Sequence, residues 1–196
     1  MVTSDMLALL DTLGANAPRP GTRPLMEHLE GTRAVLARWG SATDICLAGL
    51  FHSVYGAEGG QARDRDTNLA RRDDVRTLIG TGAEELAYLY AACERRSLFT
   101  NAPDAAVFTI NDMFEKCHVP VAEATLRALL EMEAANFVEG PAERINYPDS
   151  LIAQIKGAWT NARPFVTARA YDEVQDRLRA IDARRAASTA APRSWR

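Results

Sequence analysis

Apolar positions recur at three- and four-residue intervals along most of the chain, and strand-like alternation is nearly absent. The pattern predicts an all-α fold. A first helix is expected over about residues 4–13, stopped by Gly14, and a Pro/Gly/Arg loop over 17–23 follows. Pro24 suits the first turn of a second helix, which Gly40 ends. A third is expected over 42–55, with Ser41 or Thr43 as its cap. The polar, glycine-rich segment 56–68 is too polar for a core. Its length and its position just after His52 make it a candidate lid. Further helices are expected near 72–79, 83–96 and 109–117, with a loop over 97–106. Pro120 is read as opening a long helix to Val138, stopped by Gly140-Pro141, and two helices over 149–161 and 164–185 complete the pattern. The expected organisation is an N-terminal helix and loop (1–23), a helical core (24–138), C-terminal helices packing on that core (139–186) and a disordered tail (187–196).

The 196 residues suffice for one domain with a real core; chains of this size bury about 70% of their unfolded surface. A formal net charge of −3 argues against a protein that neutralises nucleic-acid phosphates along a broad face. The arginines near the C-terminus (Arg177, Arg179, Arg184, Arg185, Arg193 and Arg196) read as a solvated helix end suited to the macrodipole. The three cysteines, Cys46, Cys93 and Cys117, include no CxxC pair, so neither a disulfide framework nor a zinc ribbon is expected. Without an apolar run of membrane-spanning length or a signal-like N-terminus, a cytoplasmic protein is expected.

The candidate chemistry lies on three predicted helices. On the second, His28 shares a face with Leu25, Leu29, Thr32, Val35, Leu36 and Trp39, so its imidazole points inward. The third is apolar nearly all round, and His52 lies on the row of Ile45, Ala48 and Gly49, the last two small enough for a close helix approach. A buried imidazole must satisfy both nitrogens, by hydrogen bonds or by one bond to a metal. On the long helix, Glu133 interrupts the stripe of Leu126, Leu129, Leu130 and Phe137, with Asn136 at its edge, while Glu123 and Glu131 are expected to point outward. A carboxylate in an apolar stripe needs a partner: a protonated histidine, an arginine such as Arg95 or Arg96, or a metal. His118, at a predicted helix end, reads as a surface residue.

His28, followed on the next helix by Leu47-Ala48-Gly49-Leu50-Phe51-His52-Ser53, resembles the HD-domain superfamily over about residues 24–138. The resemblance implies an all-α HD-like helical core, here with additional C-terminal helices. Two departures stand out: Ser53 takes the place of the doublet Asp, and Asn136, in Met132-Glu133-Ala134-Ala135-Asn136, that of the distal Asp. Ser and Asn bind hard cations less well than a carboxylate. The resemblance leaves a mononuclear divalent site (Fe, Mn, Co or Zn) on His28, His52 and Glu133, with Glu58 and Asn136 as further possible ligands.

Two functions from different classes follow. One is a metal-dependent enzyme acting on a small molecule, by phosphate-ester hydrolysis or iron-dependent oxidation. Ser53, Tyr55, Arg95 and Arg96 would meet the substrate, Arg71 and Arg72 offer further anion contacts, and Tyr88 and Tyr90 could line the pocket. The other is a degenerate, non-catalytic HD-like scaffold that binds a small molecule or serves as an adaptor. Neither reading calls for nucleic acid or membrane, and the oligomeric state is open.

Overall fold

The segment Thr43–Phe51 is apolar on almost every side, so its helix has to be wrapped by others. The computed structural model describes residues 2–16, 24–56, 65–140 and 147–190. In chain order the elements are α1 (Ser4–Thr12), α2 (Leu25–Trp39), α3 (Thr43–Phe51), α4 (Arg65–Leu69), α5 (Arg72–Ile79), α6 (Thr81–Ala92), α7 (Arg95–Leu98), β1 (Phe108–Asp112), β2 (Cys117–Val121), α8 (Glu123–Glu139), α9 (Asp149–Ala162), a 3-10 turn (Arg163–Phe165) and α10 (Ala168–Ala190). Helix α3 packs against α2, α5, α6 and α8, and α2 and α6 also meet α8. Leu47, Ala48, Gly49, Leu50 and Phe51 are all buried. Gly49 permits the α2–α3 approach: a Cβ there would overlap Leu36 Cδ1.

Most helix limits follow from local chemistry. Helix α2 buries Leu29, Thr32, Val35, Leu36 and Trp39, the face expected from spacing. It ends at Gly40 in the left-handed region, with Gly40 N–H donating to Ala37 O (3.1 Å) and Ser41 N–H to Leu36 O (3.1 Å). Helix α3 stops at Phe51 instead of continuing to residue 55. The His52 imidazole Nδ1 lies 2.7 Å from Gly49 O, the carbonyl a continuing helix would offer to the Ser53 N–H, and residues 52–55 form turns.

The largest departure from the predicted helices is a β-hairpin where a helix was expected near 109–117. Strands β1 and β2 pair antiparallel, with Ile110 opposite Val119 and Thr109 opposite Pro120. Ile110, Met113, Phe114 and Cys117 have i, i+3, i+4, i+7 spacing, which mimics an amphipathic helix. What turns the chain is Asp112, whose Oδ1 accepts from Phe114 N–H (2.7 Å) and Glu115 N–H (2.9 Å), with Lys116 at φ 56°. Pro120 therefore lies in a strand, and α8 begins at Glu123. The hairpin also cuts short the helix expected over 83–96. Met113 N–H takes Ala92 O (2.8 Å) and Glu94 N–H takes Asn111 O (2.9 Å), so the chain is extended at Cys93 and α7 is a separate short turn.

The C-terminal helices close over α8. Ala170, Val174, Leu178 and Ile181 form the buried stripe of α10. Glu131, expected to point outward, is buried: its oxygens accept from Thr167 N–H (3.1 Å) and Oγ1–H (2.7 Å) at the start of α10. Arg177, expected in a solvated helix end, donates to Gly140 O (2.7 Å), and Arg185 reaches Tyr147 O and Asp149. Helix α10 runs to Ala190, so the tail expected from residue 187 begins as helix. Residues 191–196, the expected loop 17–23 and most of the candidate lid (57–64) lie outside the described residues. Among the described residues no helix is long and apolar enough to cross a membrane.

Candidate functional site

Helices α2, α3, α6, α7 and α8 bring a polar cluster together. His28 comes from α2, His52 from the end of α3, Tyr90 from α6, Arg95 from α7, and Glu133, Asn136 and Glu139 from α8. The His28 and His52 rings meet edge to face with centroids 5.1 Å apart, and His52 and Tyr90 do the same at 5.3 Å. The two histidines singled out by sequence are thus neighbours. His52 is almost wholly enclosed, whereas the His28, Glu133 and Arg95 side chains keep 18%, 15% and 16% of their surface, so one side of the cluster reaches water.

Charge states follow from these contacts. Burial, with His28 alongside, pulls the His52 pKa down to about 3, so the ring is neutral at neutral pH. With Nδ1–H donating to Gly49 O, the lone pair of His52 lies on Nε2. Burial, then the Glu133 charge, pushes the Tyr90 phenol well above its usual range, so it stays protonated and donates to Glu133 Oε2 at 2.5 Å. Glu133 also meets Arg95 Nε at 3.4 Å and Asn136 Nδ2 at 3.4 Å. Arg95 lies over the Tyr90 ring, 3.7 Å from its centroid, and donates to the carbonyls of Tyr90 and Cys93, the latter at 2.9 Å. Burial opposes the Arg95 charge, but Tyr90 and Glu133 outweigh it and raise its pKa. Of the partners foreseen for Glu133, the arginine is the one it has.

His28 Nδ1 meets Glu139 Oε2, a residue that sequence reasoning missed by ending the long helix at Val138. The signal was present, because Glu133, Asn136 and Glu139 stand three apart on α8 and Gly31 leaves space one turn beyond His28. Other predicted site residues lie elsewhere. Tyr55 is buried and donates to Glu84 Oε1 (3.1 Å), in a second cluster where Glu84 holds Arg72 (2.6 and 3.1 Å) and Arg76 (3.0 Å), with Arg72 over the Tyr88 ring. Burial disfavours the Glu84 carboxylate, but these donors outweigh it and lower its pKa. Arg71 pairs with Asp74, Arg96 and His118 are exposed, and Ser53 is half-buried with its carbonyl accepting from Gly56 N–H. Glu58 lies outside the described residues.

The donor chemistry of two imidazoles suits a divalent metal. The third ligand does not converge: among the described residues, no three His, Cys, Asp or Glu side chains are placed to hold a metal ion. Glu133 is turned to Arg95 and Tyr90, and Glu139 to His28 Nδ1. The set His28, His52 and Glu133 therefore does not fit a metal as arranged here.

Residues 9–95 match a family model described as a domain of unknown function (DUF6817). The matched stretch contains His28, His52, Tyr90 and Arg95 and stops before the α8 carboxylates that complete the cluster. No curated protein and no solved structure matches the chain.

Proposed function

We propose that this chain is a small-molecule-binding protein on an HD-like helical scaffold, and that the cluster around His28 and His52 is its ligand site. The observation that carries this reading is the state of Glu133: Arg95, the Tyr90 hydroxyl and the Asn136 amide already surround the carboxylate a metal would need. A charge so balanced has no electrostatic need of a cation. The same contacts weigh against phosphate esters. Arg95 is engaged by Glu133 and two carbonyls, Arg72 by Glu84 and Arg71 by Asp74. The favoured ligand is an uncharged polar molecule carrying hydroxyl or amide groups, matched to imidazole, phenol and carboxylate partners.

Thermal-shift measurements on tag-free protein test this, because a ligand that binds only the native state raises its melting temperature. Polyols and small amides are expected to stabilise more than phosphate monoesters, and Tyr90→Phe, which removes the donor to Glu133, to weaken the effect. The HD resemblance and the neutral His52 favour a second reading, a metal-dependent enzyme. Elemental analysis decides between them: stoichiometric Fe, Mn, Co or Zn that is lost in His52→Asn would overturn the first and establish the second.

A further inference from the structure

We infer that Glu139, admitted to the cluster by Gly31, is a positioning residue that holds His28 in the tautomer with its proton on Nδ1. The inference deepens the ligand-site reading above and rests on it for its functional meaning.

Three features carry it. Glu139 Oε2 meets His28 Nδ1, with the carboxylate nearly buried at 8% exposure. Gly31 stands three residues beyond His28 on α2. A Cβ at Gly31 would come within 2.5 Å of Glu139 Oε1 and 2.8 Å of its Cγ and Cδ. The carboxylate thus crosses α2 over the one position in that turn without a side chain. Finally, the end of α8 is tied down beside Glu139: Gly140 N–H donates to Asn136 O (2.9 Å), and Arg177 donates to Gly140 O (2.7 Å).

A carboxylate accepts and cannot donate, so it selects the Nδ1–H form of a neutral imidazole. The lone pair then lies on Nε2, the form in which histidine accepts a hydrogen bond or a proton. Gly49 O makes the same selection for His52 from the backbone. Both histidines then carry the lone pair on Nε2, the form that accepts from hydroxyl or N–H donors.

Long-range proton–nitrogen correlation spectra of full-length, 15N-histidine-labelled protein at mildly alkaline pH read each tautomer directly. No ligand is required, so failure of the ligand reading and failure of this one are separable. The Nδ1–H form is expected for both His28 and His52, with exposed His118 as the reference. Glu139→Ala and Gly31→Ala should shift His28 alone toward the Nε2–H form, and Glu139→Gln, which keeps an amide oxygen, should largely restore the wild-type pattern. The His52 signal reports that each variant is folded. Should Glu139→Ala lose it, Glu139→Asp, whose shorter side chain draws the carboxylate back, takes its place. An Nε2–H or doubly protonated His28 in the wild-type protein, or a His28 spectrum unchanged by both substitutions, would overturn the inference.

Discussion

His52 makes a direct prediction about acid stability. Enclosed by α3, His28 and Tyr90, with Arg95 nearby, its ring has a folded-state pKa of about 3, whereas a histidine in an unfolded chain titrates near 6.5. Between those values the unfolded state binds a proton that the folded state refuses. Stability contributed by the neutral ring is therefore complete above pH 6.5 and falls as the pH drops toward 3. At pH 5 the loss relative to pH 8 is about 2 kcal/mol, from about 1.36 kcal/mol per unit of pKa difference. With a urea m-value of about 2 kcal/mol/M for a domain of this size, the midpoint should fall by about 1 M through this group alone. The comparison is with His52→Asn, whose amide can still donate to Gly49 O but does not titrate. Other carboxylates and histidines contribute to both proteins, so the quantity to measure is the difference between their midpoint shifts from pH 8 to pH 5. If wild type and variant lose equal stability over that interval, the buried neutral imidazole is wrong.

Three further substitutions, one of them with a control, probe the frame that positions the cluster. Glu84→Gln removes the charge held by Arg72 and Arg76; a loss of about 3 kcal/mol in urea denaturation is expected, at the low end for a buried pair because both arginines keep partial contact with water. Gly49→Ala drives a methyl group into Leu36 and should cost about 1–3 kcal/mol, read as a lower melting temperature, while Gly157→Ala, where a Cβ meets nothing within 4 Å, should cost nothing. Glu131→Gln weakens the tie to Thr167, so the start of α10 should lose protection in amide hydrogen exchange, with a global cost of about 1–2 kcal/mol.

How much of this protein its sequence determined depends on the range of the forces involved. The helices with strong apolar faces, α5 and above all α2 with its stop at Gly40, were legible because propensity and capping act within a few residues. The inward placement of His28, and of His52 on a helix apolar all round, was legible for the same reason. The hairpin was not. Its residues carry a helical period, and only the Asp112 turn and its docking on Ala92 and Glu94 select the strand pairing. The helix limits at Phe51, Ala92 and the start of α8 were likewise set by bonds to side chains or strands that local propensity does not contain. The site divides the same way. That Glu133 needed a partner followed from its place in an apolar stripe, but that the partner is Arg95 and Tyr90, that Tyr55 serves Glu84, and that Glu139 reaches His28 across Gly31 depended on how α8 lies against α2, α6 and α7 and how α3 lies against α6. Helical periodicity tells which way a side chain faces; the distance between charges on different helices is fixed only when those helices pack.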